Sequence, residues 1–305
     1  MSDPTRAAAE PPSLAIQQVL YSNDPADVLH ALENLAHSVA LAQRRALVGQ
    51  VQLSLGDCSP SPVLAEPDID RVRAMFEPLW AKVDVTVFGA NLGSAAGHNR
   101  LLTSNECLRT LILNPDALVA PLTISSLMRS LAPGVGIVEA RQLPLEHPKD
   151  YDSRTGDTSW ASTACALMRT EMLAELDGFD ATTFFLYCDD VDLSWRARLA
   201  GWRVVFDPAA SVFHDKRLGD DGLIGVTPAE IYYSAEAALM LTHKYSRPDL
   251  VASISADLAA SPHEAHNKAV AEYRRRQEED LLPAPIDPEG RVAQFVGGAY
   301  AIHRF

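Results

Sequence analysis

This 305-residue chain is predicted to form an α/β fold: a mostly parallel central sheet flanked by helices, then a C-terminal helical extension. Short apolar runs of strand length alternate with segments whose apolar residues recur at helical spacing. A cluster of turn-forming and charged residues follows each run, the pattern of strand–helix–strand units. With 47% hydrophobic and 22% charged residues the chain can bury a core, which excludes a disordered polypeptide.

Residues 1–13, rich in Pro, Ala and charge, read as a loose tail. Leu14 to Tyr21 reads as a strand. A helix then starts with Asp24 as N-cap and Pro25 in the first helical position. Val28, Leu32, Leu35, Val39 and Ala42 form its apolar stripe, and Gly49 is expected to close it. Val51–Leu55, Val83–Phe88, Leu108–Leu113 and Val135–Ala140 read as strands, with helices at Gly97–Ser104 and Thr123–Leu131. After a polar loop at 141–160 come a strand at Ala164–Met168, a helix at Thr170–Leu176, a helix from Val191 to Ala200 ending at Gly201, and a strand at Trp202–Phe206. Residues 215–226, rich in Gly and Asp, read as mobile, and two further helices follow at 228–245 and 262–280. The organisation is thus a tail at 1–13, a domain at 14–245 and a helical extension at 246–305.

The net charge of −14 supplies no basic face, which argues against nucleic acid as a partner and against strong attraction to an anionic membrane. Four scattered cysteines without a C-x-x-C pair fit a reducing compartment and neither a disulfide framework nor structural zinc. With no signal-peptide pattern and no 18-residue apolar stretch, the expected location is the cytoplasm, with peripheral membrane contact at most.

Four polar clusters sit at strand ends, where open α/β sheets bind ligands. Asp57 can accept a hydrogen bond from a nucleobase N–H or serve as a turn residue in G-D-C-S. The run from Asn91 to Asn99, with Gly93 and Gly97, can let backbone approach a phosphate or simply pack a helix closely. It is neither the dinucleotide-binding glycine pattern nor a Walker loop. Asn114-Pro115-Asp116 offers a carboxylate for Mg²⁺ or Mn²⁺, and reads equally as a helix-start turn. Asp189, Asp190 and Asp192 are three acids within four residues, more than one helix N-terminus explains, and the spacing fails the EF-hand test at Trp195 and Gly201. His214 follows at the end of an apolar run.

The ordered set is more specific than its parts. N-x-G-x-x-x-G-x-N at 91–99, L-N-P-D at 113–116, D-G-F-D at 177–180, F-F-L-Y-C-D-D-V-D-L-S-W-R at 184–196, A-G-W at 200–202 and P-A-A-S-V-F-H at 208–214 resemble the family 2 glycosyltransferases of the GT-A fold. The similarity is strongest to bacterial rhamnosyltransferase-like and galactofuranosyltransferase-like members, and spans roughly residues 14–245.

The resemblance implies inverting transfer of a sugar from a UDP- or dTDP-sugar to a hydroxyl of a glycan or lipid-linked acceptor in bacterial surface polysaccharide synthesis. It implies Asp190 as catalytic base with Asp189 beside it. It implies donor contacts from Asp57, Asn91, Gly93, Gly97, Asn99 and Asn114, and a divalent ion, Mn²⁺ or Mg²⁺, at Asp116 and His214. Trp160 and Asp192 are the acceptor-side candidates, and self-association is compatible with the reading. Residues 162–168 lack the family's usual glycine, Ser234-Ala235-Glu236 replace a frequent Arg-Asn, and Cys58 replaces a usual Asn. These departures motivate the alternative of a catalytically degenerate nucleotide-sugar-binding module. A glycosidase is the third reading, disfavoured because Asp189 and Asp190 are adjacent rather than flanking a bond.

Overall fold

The computed structural model describes residues 10–146, 150–214 and 225–301. Its strands are β1 (Leu14–Leu20), β2 (Val51–Asp57), β3 (Ala81–Val87), β4 (Arg109–Leu113), β5 (Leu118–Val119), β6 (Val135–Pro144), β7 (Cys165–Arg169) and β8 (Arg203–His214). The helices are α1 (Pro25–Arg44), α2 (Glu66–Phe76), α3 (Gly93–Leu102), α4 (Thr123–Ser130), α5 (Thr170–Glu175), α6 (Asp189–Leu199), α7 (Pro228–Lys244), α8 (Pro248–Ala260) and α9 (Glu264–Glu278).

The strands form one sheet in the order β3-β2-β1-β4-β7-β6-β8-β5. Pairs β1–β2, β1–β4, β2–β3 and β6–β8 are parallel, while β4–β7, β6–β7 and β5–β8 are antiparallel. Two inversions across β7 cancel, so β6 and β8 point the same way as β1 to β4. The carboxyl ends of six strands therefore share one edge, at Leu20, Asp57, Val87, Leu113, Pro144 and His214.

Local chemistry explains the elements. Asp24 accepts the Ala26 N–H at 2.8 Å and caps α1, whose Val28, Leu32, Leu35, Val39 and Ala42 are buried. The expected stop at Gly49 is corrected: the chain leaves the helix at Arg45, with Ala46 at φ 53. Gly49 instead allows close approach, because a Cβ there would lie 2.6 Å from the Pro11 carbonyl oxygen. Helix α3 begins at Gly93, four residues before the expected start. Strand β8 continues to His214 rather than stopping at Phe206. The segment expected to be mobile, 215–226, lies outside the described residues up to 224. The tail runs outside them to residue 9, and the chain is tied down from Pro12, whose carbonyl accepts the Gly49 N–H. Helices α2 and α8 are additions to the expected pattern. Helix α2 buries only Val72 and Phe76 and α8 buries no residue outright, so neither shows a strong apolar stripe.

One core lies between α1, α2, α4 and the sheet, around Ile16, Leu32, Leu53, Phe76 and Leu111. A smaller cluster under α5 and α6 joins Ile112, Met168, Phe179 and Leu193. A further core joins α6, α7 and α9 to the C-terminal segment through Trp160, Phe184, Trp195, Tyr245 and Tyr273. That segment is shaped by buried Asp287, whose carboxylate accepts the N–H groups of Arg291, Val292 and Ala293. Phe295 then meets Trp195 edge-on at 5.2 Å between ring centroids. All four cysteines are free and buried. Among the described residues no helix is long and apolar enough to cross a membrane.

Candidate active site

The acids of α6 begin a helix whose approach is strained. Tyr187 and Cys188, neither of them glycine, both take positive φ, 67° and 55°. The turn carries Phe185 against the first turn of α3, where the Ser94 N–H donates to the Phe185 carbonyl at 3.2 Å. Gly93 permits this contact: its φ is +72°, and a Cβ there would sit 2.2 Å from the Phe185 oxygen. Asp189 is 4% exposed and Asp190 half-buried. Burial first, and the Asp190 charge second, push the Asp189 carboxyl up to about 7, against a hydrogen bond from the Ser94 side chain that favours its ionised form. Asp189 Oδ2 is buried with no hydrogen-bond partner. The Asp190 carboxylate accepts the Val191 N–H at 2.8 Å, at the positive end of the helix.

A second group forms where β4 and β8 end. Asn114 is fixed by its N–H to the Ala164 carbonyl at 3.0 Å. The His214 Nε2 lies 3.4 Å from Asn114 Nδ2 and 3.5 Å from Asp116 Oδ1. His214 Nδ1 lies 3.3 Å from Gln142 Oε1 on β6. The loop linking β6 to β7 joins this group to α6, because the Ala161 N–H donates to Ser194 Oγ at 3.0 Å. Asn114 and Asp116 thus meet His214, which is distant in sequence, where β4 and β8 end.

Other expected site residues serve the framework. Asp57 Oδ1 accepts the Ser59 N–H at 2.8 Å and Oδ2 the Val63 N–H at 2.6 Å, so Asp57 holds its own loop. Asn91 caps the Gly93 N–H at 3.1 Å. Gly97 is corrected from a donor contact to a packing position, since a Cβ there would lie 2.9 Å from both Val19 methyls. Asn99 is corrected likewise. Its amide donates to the Phe179 carbonyl at 2.7 Å and accepts the Phe179 N–H at 2.8 Å, locking the D-G-F-D turn. Asp192 is not on an acceptor surface: it is fully buried, with Lys244 Nζ at 2.6 Å and Arg196 Nε at 2.7 Å. Lys244 also reaches Asp180 at 2.7 Å, so one buried network ties the D-G-F-D turn, α6 and α7 together. Trp160 is 4% exposed and packs edge-on to Tyr300 at 5.1 Å, inside the core rather than at an acceptor.

The sequence reading missed Ser94, Gln142 and Tyr21. Ser94 lies within the glycine motif and was legible there. Tyr21, half-exposed at the end of β1, lies near Tyr233, which itself stacks on Phe185 at 4.7 Å. Gln142 lies in a stretch expected to be loop, and no motif marks it.

Comparison with known proteins places this geometry. Residues 149–219 match the glycosyltransferase like family 2, a span containing Asp189, Asp190 and His214. A 57-residue stretch is 42% identical to an N-acetylglucosaminyl-diphospho-decaprenol L-rhamnosyltransferase of Mycobacterium tuberculosis, covering 19% of this chain and 18% of that one. The chain therefore matches less than a fifth of that relative's length. The fold is similar to that of mannosyltransferase PcManGT from Pyrobaculum calidifontis, solved with GDP-Man and Mn²⁺ (TM-score 0.56, 15% identity, 92% of this chain and 78% of that chain). It is also similar to GalNAc-T7 solved with UDP, GalNAc and Mn²⁺ (TM-score 0.59, 12% identity, 88% of this chain and 55% of that chain). The chain shares its fold with these two solved structures, and residues 149–219 match the glycosyltransferase like family 2.

Proposed function

We propose that the protein is an inverting, metal-dependent glycosyltransferase that moves a sugar from a UDP- or dTDP-sugar to a hydroxyl of a glycan or lipid-linked acceptor in bacterial surface polysaccharide synthesis. The observation that carries this reading is the Asp189–Asp190 pair at the start of α6. It lies inside the matched segment, and Phe185 just before it packs on the first turn of α3, which follows the carboxyl end of β3. The carboxyl ends of β4 and β8, where Asp116 and His214 meet, lie on the same sheet edge. Inversion needs a carboxylate that takes the acceptor proton as the hydroxyl attacks the anomeric carbon. Asp190 is the more exposed of the pair and takes that role, with buried Asp189 beside it holding a proton over part of the neutral range.

The residues fit a divalent ion shared with a diphosphate. Among the described residues no cluster of three or more His, Cys, Asp or Glu side chains can cage a metal. Asp116 and His214 supply an oxygen and a nitrogen donor 3.5 Å apart, leaving the remaining positions to phosphate oxygens and water. A bound ion would neutralise charge gathering on the leaving diphosphate. Asp57, by holding residues 58–63, shapes the loop beside the end of β1 where a nucleobase would lie. The named substrates of the solved neighbours and of the mycobacterial relative support a nucleotide-sugar donor and a lipid-linked acceptor for this chain.

The test is thermal stability with UDP-, dTDP-, GDP- and CMP-sugars, each with and without Mn²⁺ or Mg²⁺, followed by turnover with the stabilising donor. A ligand at about 100 times its Kd adds about 2.7 kcal/mol to the native state. A metal-dependent shift with one uridine or thymidine donor is expected. Binding without turnover across an acceptor panel would instead establish the degenerate module.

A further inference from the structure

His214 is held from both sides, and the two sides ask for the same proton arrangement. Neutral imidazole carries one N–H and one lone pair. On one side the Gln142 Oε1 acceptor stands 3.3 Å from Nδ1. On the other, the Asn114 Nδ2 donor stands 3.4 Å from Nε2. Both neighbours favour a proton on Nδ1 and a lone pair on Nε2. That lone pair then faces Asp116 Oδ1 at 3.5 Å, two electron-rich atoms with no proton between them. Such a pair repels unless a proton or a metal cation lies between them, and with the imidazole neutral only the cation remains.

Gln142 is built to hold this state. It is 1% exposed, on a strand hydrogen-bonded in parallel register with β8, where Gln142 pairs with Val212 and Pro144 with His214. Its backbone N–H is anchored to Glu146 Oε2 at 2.7 Å. The backbone is thus held, and the side-chain amide turns its oxygen to the ring while its Nε2 is buried without a hydrogen-bond partner.

We propose that Gln142 is a positioning residue that keeps His214 in the Nδ1–H tautomer and so aims the Nε2 lone pair at a cation shared with Asp116. The cation half of this assignment rests on the metal-dependent reading above, whereas the tautomer is a property of the protein alone. Partners at the far nitrogen of a metal-binding histidine fix the ring and raise its basicity, and their loss costs about 10–100-fold in affinity.

The experiment uses the full chain, ¹⁵N-labelled, with the His214 ring tautomer read from long-range ¹H–¹⁵N correlations at mildly alkaline pH. Mn²⁺ affinity is read from the electron paramagnetic resonance signal of the free ion. The wild type is expected to show Nδ1–H. Gln142→Leu should lose that preference and bind Mn²⁺ about 10–100-fold more weakly. Gln142→Glu, which keeps an acceptor, should retain both. Nε2–H in the wild type overturns the assignment, and this needs no variant to fold. An unchanged tautomer and Mn²⁺ affinity in folded Gln142→Leu overturns it as well. Nδ1–H in a wild type that binds no Mn²⁺, alone or with UDP, upholds the positioning by Gln142 but removes the cation and the metal-dependent reading with it.

Discussion

Where β2 ends and α3 begins, polar side chains are committed to the backbone around them. Where β4 and β8 end and α6 begins, they face one another. Asp57 closes its own loop with both oxygens, and Asn99 fills both ends of its amide on Phe179. By contrast, Asp189 Oδ2 is buried without a partner, and His214 Nε2 faces the Asp116 carboxylate at 3.5 Å. A buried polar atom with no partner costs free energy; His98 Nδ1 of α3 and the Gln17 amide of β1 share that state, so Asp189 is marked by its place at the start of α6 beside a second acid as well. Both regions carry equally suggestive motifs; what separates Asp57 and Asn99 from Asp189 is that their side chains are taken up by nearby backbone.

The sharpest test of this contrast is Asp190→Asn. It is expected to lower turnover about 10²–10⁴-fold while donor affinity stays within a few-fold. Retention of most activity, measured as kcat with the donor dissociation constant, would transfer the base role away from Asp190. The framework acids should behave oppositely. Asp192→Ala leaves Lys244 and Arg196 beside a buried gap where a carboxylate bonded both. The expected loss is about 3–5 kcal/mol in urea unfolding, since removing one partner strands a buried charge. A loss well under 1 kcal/mol, in the range of exposed pairs, would break the claim that this network joins α6 to α7.

Asn99→Ala gives a smaller effect, about 1–3 kcal/mol, by leaving the Phe179 N–H and carbonyl unpaired. Donor binding by calorimetry should be unchanged. Weakened binding in a variant of wild-type stability would restore Asn99 to the donor site.

The mildest effect concerns pH. The Asp189 carboxyl is raised to about 7, whereas an unfolded aspartate titrates near 4. Between these values the folded state binds more protons than the unfolded one, so this group's contribution to stability falls as pH rises from about 4 to about 7. Asp189→Asn should flatten that part of the profile and raise the melting temperature relative to wild type at its upper end. Parallel profiles of melting temperature against pH for the two proteins would place the carboxyl in a wetter setting than the structure gives it.

Much of the fold was legible because its cues are local. The Asp24-Pro25 start, the stripe of α1 and the apolar runs of β1, β2 and β4 depend on neighbours in sequence. Helix α8 was missed because its apolar residues Val251, Ile254 and Leu258 make only a short stripe, and in the structure that stripe is only partly buried against the core. Of the expected site residues, Asp116 and His214, named from separate motifs, come within 3.5 Å of each other. The roles of Gly97, Asn99, Asp192 and Trp160 were not. Each depends on a contact with a distant segment: Val19, Phe179, Lys244 and Tyr300.

By itself, then, the sequence determined the alternation of strands and helices, the acidic start of α6 and the resemblance carried by the run from 177 to 214. Periodicity, caps and motif spacing act over a few residues, so they survive without coordinates. Only tertiary structure decided which polar groups were already satisfied. It turned Asp192 into the partner of a buried lysine, raised the Asp189 carboxyl by burying it, and set Gln142 behind His214. Burial and hydrogen bonding are relations between segments that meet only when the chain folds, and they fix which carboxylates and imidazoles remain available for chemistry.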